Sequence, residues 1–391
     1  MLTANPGTLR SSLRPALKSA ALAFLLSRLI VWVAILVPPM LLPAAFEGAP
    51  SDRVVMRASS DAIGTHVDAL VRANDAGWYH GIATGGYEQR PFDASAQANW
   101  AFFPLHPALW RGAMALFGDS LWAALLLPNA MLFAALVLLF QLARATGRDE
   151  ASATRAVFVV ALLPSSYFLS LPWTESLFLL SSAACMLFAL RRQWPWMALA
   201  GIAASATRFP GVLLLPAVAA HLLVARERSW RAWLAAGCMP LGALLFALYL
   251  ASITGNALAF ADIQAAWGRQ FEAPVRAIGI IALRPDELAI DWNLRLLNFA
   301  MLAVAAFAVR HLILRREIGF AVLLALCVLA PLMTGTLTSM SRYATALFPL
   351  ALAVADWTSG ATRERIWFTL SAATLAMMSL AFSLGLTFAA A

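Results

Sequence analysis

From residue 17 to residue 388 the chain alternates between long apolar runs and short polar joints. The runs come close to the roughly 20 residues that carry a helix across a bilayer. About eleven spans are expected, at 17–42, 119–143, 155–172, 174–190, 194–209, 210–225, 233–253, 293–310, 318–338, 342–358 and 366–388. Backbone N–H and C=O groups inside lipid have no water to bond, so each run is predicted to be a helix, and the weak period-two alternation argues against a barrel. The expected fold class is therefore an all-α polytopic membrane protein, with residues 1–391 forming one transmembrane domain.

The polar joints differ in charge. Arg144, Arg148 and Arg155, then Arg191 and Arg192, then Arg226, Arg228 and Arg231, then Arg310, Arg315 and Arg316, and finally Arg363 and Arg365 all fall on one side of this arrangement. Basic short loops mark the cytoplasmic side, which takes the N-terminus with it. Arg10, Arg14 and Lys18 precede an apolar run from Leu22 to Leu42 that is long for a signal peptide and has no clear cleavage site, so a retained first span is expected. Two long segments, 43–118 and 254–292, then face outward and hold most of the acidic residues. Within the first, AFFPLHPALWRGAMALFG suits helices lying in the membrane interface. Runs bordering Pro164, Pro172 and Pro210 are short and proline-broken, a backbone tolerated where it lines a protein-walled cavity.

Composition agrees with lipid as the solvent: 62% of residues are hydrophobic and only 12% charged, against about a quarter charged in soluble chains. The net charge of +8 is spread through the joints instead of forming one stripe, so it reads as a topology signal and not as a nucleic-acid surface. Lys18 is the only lysine, and this Arg-rich, Lys-poor usage leans toward a bacterial plasma membrane. Cys185, Cys238 and Cys327 lie in apolar spans without CxxC or Cys/His spacing, so neither a disulfide framework nor a metal site is indicated. Walker A, GxGxxG, GxSxG and HExxH patterns are absent.

Candidate chemistry sits on the outward side. In NDAGWYHGIATGGYE, Asp75 is followed by Trp78, Tyr79 and Tyr87. A carboxylate beside aromatic faces suits sugar chemistry, where it takes a hydroxyl proton while rings cover apolar sugar faces. A helix-capping aspartate followed by interfacial aromatics fits the same spacing. Glu175, in LPWTES, is either a second acid or a residue favoured at a helix N-terminus. His106, in FFPLHP, fits a hydrogen-bonded structural role as well as a site role, and His80 has none that the sequence defines. Arg208 and Arg342 lie at outward span ends, against the charge trend, where they suit a phosphate, a snorkelling position or an ion pair. The second segment offers Asp262, Gln264, Trp267, Arg269 and Glu272, then Asp286, Glu287, Asp291 and Trp292, read as an interfacial helix with Trp267 at the headgroups. Trp267 and Arg269 are also within the reach expected of a ligand contact.

In order along the chain, NDAGWYHGIATGGYE, NWAFFPLHP, LLPSSYFLSLPWTESLFLL, SATRFPGVLLLP and SMSRYATALFPL resemble the PIG-V type mannosyltransferases, the family of GPI mannosyltransferase 2 and its bacterial relatives. The resemblance covers about residues 72–350. It implies a GT-C fold, interfacial helices in the first outer loop and a polyprenyl-phosphate sugar as donor, transferred with inversion. It also implies Asp75 as general base, Trp78, Tyr79 and Tyr87 around the sugar, and Arg208 and Arg342, with Tyr343 beside it, at the donor phosphate. The acid is followed here by AGWY, a departure from the more compact acid, glycine and aromatic arrangement of eukaryotic members.

The expected activity is thus sugar transfer to a glycolipid, glycan or protein hydroxyl on the extracytoplasmic face, with no cofactor and no metal motif. A transporter or flippase of a lipid-linked sugar would need the same helices and buried arginines but no catalytic acid. A non-catalytic assembly subunit is the third reading.

Overall fold

The computed structural model describes residues 6–41, 62–269, 272–275, 279, 292–334, 337 and 339–386. Residues 43–61 of the first outer segment lie outside it, as do Asp286, Glu287, Asp291 and the Trp292 side chain. The described residues are helical, with no strand among them.

The chain opens with α1 (Pro6–Leu41), then three shorter helices, α2 (Ala62–Arg72), α3 (Asp75–Gly85) and α4 (Leu105–Phe117). The central series follows: α5 (Leu121–Ala145), α6 (Glu150–Leu162), α7 (Glu175–Leu190), α8 (Trp194–Thr207), α9 (Leu214–Val224), α10 (Trp230–Gly237), α11 (Leu241–Thr254) and α12 (Ala259–Asp262). The last helices are α13 (Trp292–Leu314), α14 (Ile318–Leu332), α15 (Met340–Thr345), α16 (Phe348–Trp357) and α17 (Ala361–Ser383).

Among the described residues, five helical stretches are long and apolar enough to cross a bilayer: Leu13–Val37, Leu121–Ala145, Trp230–Thr254, Leu296–Leu314 and Ala361–Ser383. Four shorter apolar ones, Glu175–Leu190, Phe209–Val224, Ile318–Leu332 and Phe348–Trp357, pack among them. Leu25 and Leu29 on α1, Leu245 and Leu248 on α11, and Leu370 on α17 turn apolar side chains outward, as lipid requires and water does not. The chain is a membrane-embedded protein, all-helical among its described residues.

The break expected at Pro164 is there: the run 155–172 stops as a helix at Leu162, because Pro164 drives Leu163 to an extended conformation, and a short turn of 3-10 helix over Ser166–Ser170 continues it. The run 342–358 is two helices, α15 and α16, separated by the extended Leu347, with Pro349 in the first turn of α16. In the second outer segment, the described residues 259–267 form α12 and a 3-10 turn over Ile263–Trp267. The first outer segment holds three short helices, α2, α3 and α4, the last over the stretch expected to lie in the interface.

Within the bundle α5 packs on α7, α7 on α8, α1 on α17, α9 on α14 and α6 on α16. Three helices, α7, α9 and α13, end with an arginine in the left-handed conformation, Arg192, Arg226 and Arg316. In each the next residue donates back to the last turn, as Gln193 does to Phe188 and Glu317 to Leu312, both at 2.9 Å. Glycine would adopt this backbone at less cost, but arginine places a cation where the helix dipole is negative.

The same end of the bundle is tied by Arg148. Its guanidinium bonds Glu317 at 2.8 Å and Asp356 at 2.9 Å, with His311 3.1 Å from Asp356. Arg148, expected only as a topology signal, is therefore the buried centre of an ion-paired network joining the α5–α6 loop, the α13–α14 loop and α16.

A candidate active site at one end of the bundle

At the opposite ends of α6 and α16, four charged side chains from distant parts of the chain meet. Arg342 Nη2 lies 2.5 Å from Asp75 Oδ2, and Arg342 Nε donates to Glu175 Oε1 at 2.6 Å. The same Glu175 oxygen accepts from Arg208 Nη1 at 3.3 Å. Glu175 is fully buried, the Arg342 side chain is 8% exposed and the Asp75 side chain 33%. The group is thus sealed at Glu175 and opens at Asp75.

Local sequence explains how each is held. Asp75 begins α3 after a tight turn in which Asn74 adopts φ 55°, a conformation asparagine tolerates better than most residues. Gly77 is required there, since a Cβ would lie 2.9 Å from the Arg72 carbonyl oxygen. Glu175 is the first residue of α7, so its charge also faces the helix N-terminus. Arg208 is the extended residue between α8 and the Phe209–Leu213 turn. That turn folds back so closely that a Cβ on Gly211 would sit 2.2 Å from Ala204 backbone atoms. Arg342 stands on α15, which is anchored by the Ser341 N–H donating to Asn298 Oδ1 at 2.8 Å.

Aromatic rings enclose the cations. The Arg342 guanidinium lies 4.0 Å over the Trp173 ring, and that of Arg208 lies 4.9 Å over Tyr343. Beyond Asp75, Trp78 stacks on Phe102 at 5.6 Å, and Trp267 meets both edge-on at 5.9 and 6.1 Å. Trp267, expected at the headgroups, therefore packs into this aromatic wall. Tyr79 is buried with its ring 5.1 Å from both Phe102 and His106, and its phenol is hydrogen-bonded with Thr174. Burial, with the Asp75 and Glu175 charges beside it, raises the Tyr79 phenol pKa. Tyr87 donates from its hydroxyl to the Phe102 carbonyl at 2.7 Å, buttressing the wall from behind.

His106 is fully buried and donates from Nε2 to the Pro172 carbonyl at 2.8 Å, pinning the turn that leads to Glu175. Burial lowers its pKa to about 4, so the ring is neutral. Its Nδ1, Trp173 Nε1 and Glu175 Oε2 are buried side-chain atoms without a hydrogen-bond partner around this site.

The site therefore gathers Asp75, Glu175, Arg208 and Arg342, with Tyr79, His106 and Tyr343 against them, and Tyr79 joins them through Phe102 to Trp78, Trp267 and Tyr87. Arg269 stands apart from the ion-paired group and donates to Gln264 at 3.2 Å in its own segment. His80 belongs to a rim network: it lies 3.0 Å from Asp119, which also meets Arg72 at 3.1 Å, while Arg72 reaches Asp68 at 2.9 Å. Against some burial, Arg72 and His80 hold the Asp119 pKa below its usual value.

Sequence reasoning passes over Arg28. It is buried in α1, and its five N–H groups all find partners, namely Ser27, Ser166 twice, Ser170 and the Ala161 carbonyl, at 2.7 to 3.3 Å. A lone arginine in the middle of the first apolar run is the signal that could have found it. Among the described residues, no group of three or more His, Cys, Asp or Glu is placed to hold a metal ion. No protein-family model matches the chain, and no curated protein matches it either.

Proposed function

We propose that this protein is a membrane glycosyltransferase that moves a sugar, mannose on the resemblance of its motifs, from a polyprenyl-phosphate donor to an acceptor hydroxyl with inversion. The observation that carries the reading is the meeting of Asp75, Arg342, Glu175 and Arg208 beside an aromatic wall at one end of an apolar bundle. In the reaction the acceptor oxygen bonds to the anomeric carbon as that carbon's bond to the phosphate oxygen breaks. The electron pair leaves on the phosphate, and the hydroxyl proton goes to Asp75. Arg342 and Arg208 stabilise the charge that grows on the leaving phosphate, and in a poorly hydrated site such stabilisation is strong. Trp78 and Trp267 offer faces for the sugar.

The finer architecture belongs to the same proposal: about eleven spans in a GT-C arrangement, with the site on the extracytoplasmic side of a bacterial plasma membrane. The basic joints at the Arg148 end, opposite Asp75, support that orientation. Purified protein in nanodiscs, given polyprenyl-phosphate mannose and glycolipid, glycan or peptide acceptors, is expected to form a glycosidic bond, and Asp75→Asn to abolish it while remaining folded. Translocation of the donor without any bond formed would establish a transporter instead. Unchanged turnover in Asp75→Asn would remove Asp75 as the base.

A further inference from the structure

Arg342 is crowded on every side that the structure defines. Its Nε is taken by the fully buried Glu175, and Trp173 covers one face at 4.0 Å. Its remaining charged partner is Asp75, the one member of the group with substantial exposure. An anion arriving from outside meets Asp75 before it meets the guanidinium. Two carboxylates and two arginines also cancel formally, so the closed group has no net charge to attract a phosphate while Asp75 stays in place.

We infer that a lipid-linked phosphate and Asp75 compete for the same Nη2 edge of Arg342, so that phosphate binding releases the Asp75 carboxylate and makes it available as a base. This rests on the glycosyltransferase reading and adds an order to it: donor first, then activation of the acceptor. Glu175 is the positioning residue of the exchange. Gripping Nε from a sealed position, it keeps Arg342 in place while the partner at Nη2 changes. The charges balance through the transfer. The donor phosphodiester, with one negative charge, becomes a monoester with a second ionisable oxygen as its bond to carbon breaks, and Asp75 loses its negative charge by taking the acceptor proton. An Asp75 oxygen held 2.5 Å from Nη2 is occupied by that contact and cannot at the same time receive a proton from the acceptor.

Dodecyl phosphate serves as the probe, and neither acceptor nor turnover is needed. Its binding to the full-length protein in nanodiscs is read by native mass spectrometry. The reactivity of Asp75 toward dicyclohexylcarbodiimide is read by peptide mapping with and without the probe. Expected are binding and a several-fold rise in Asp75 labelling, with dodecyl maltoside giving no rise. Arg342→Gln is expected to label strongly whether or not the probe is present, and the wild-type comparison with and without the probe decides the exchange should that variant not fold. Binding with unchanged or reduced labelling overturns the exchange and leaves the phosphate site standing. No binding overturns the phosphate site and the exchange together. The glycosidic-bond assay is scored separately, so a failed exchange in an active enzyme is distinguishable from a failed assignment of function.

Discussion

Asp75 and Arg342 are separated by most of the chain, yet their side chains approach to 2.5 Å, and the arginine is gripped from its other side by Glu175 at 2.6 Å. A guanidinium can serve two carboxylates at once because its donors are fixed in a plane, whereas an ammonium is a point charge at the end of a flexible stem. Arg342→Lys is therefore expected to keep the net charge and lose one of the two contacts. Measured as kcat/KM for the donor, the loss should be on the order of 10- to 100-fold, the cost of one charge-assisted hydrogen bond. Equal donor use in the two proteins would show that the planar fork is not what the site needs.

Glu175 carries the opposite prediction, one about stability. It is fully buried and its Oε1 serves both Arg342 and Arg208, so Glu175→Ala leaves two cations facing each other without their shared anion. Removing one partner of a buried ion pair costs about 3–5 kcal/mol. A clear fall in the thermal midpoint in detergent is expected, with Glu175→Asp recovering part of it. Should the midpoint hold, water or lipid must be screening the arginines, and the site would be wetter than its geometry indicates.

Several of these relationships are legible in the sequence itself. Apolar runs announce a helical membrane protein, since lipid leaves backbone groups no other partner. Glu175, Arg208 and Arg342 stand out because each charge borders an apolar run, and Asp75 because aromatic residues follow it. The proline break after Leu162 is legible as well, whereas the run beginning at 342 reads as a whole helix and is broken at Leu347. Pairing is also invisible: a helix N-terminus is enough to explain Glu175, and nothing in its local sequence points to Arg342. Arg148 disappears into the charge bias of its loop, although its carboxylate partners, Glu317 and Asp356, lie far along the chain.

His106 gives the fold an acid sensitivity. Burial lowers its folded-state pKa to about 4, whereas an unfolded chain binds the proton near 6.5. Between those values the unfolded state holds more protons, so the His106 contribution is complete above about pH 6.5 and is lost as pH falls toward 4. The difference corresponds to roughly 3 kcal/mol at the acid end. Thermal midpoints across this window should fall in the wild type. They should fall less in His106→Gln, whose amide N–H can still donate to the Pro172 carbonyl. Parallel pH profiles for the two proteins would assign the acid loss to other groups.

Arg28 uses all five of its donors, and its acceptors are carbonyls and hydroxyls instead of carboxylates. It ties α1 to the Ser166–Ser170 turn, and that turn leads through Pro172 to Glu175. Lysine has three donors where arginine has five, so Arg28→Lys must give up at least two of these buried hydrogen bonds. A hydrogen bond from a charged donor is worth about 1.5–3 kcal/mol. The expected outcome is a lower thermal midpoint in both Arg28→Lys and Arg28→Met, and a larger fall in the methionine variant, which bonds none of the acceptors. Arg28 touches none of the four charged residues of the candidate site, so folded Arg28→Lys should retain dodecyl phosphate binding, weakened only as far as displacement of the Glu175 turn reaches Arg342. Loss of all binding in a variant that melts like wild type would make Arg28 part of the phosphate site and not an anchor beneath it.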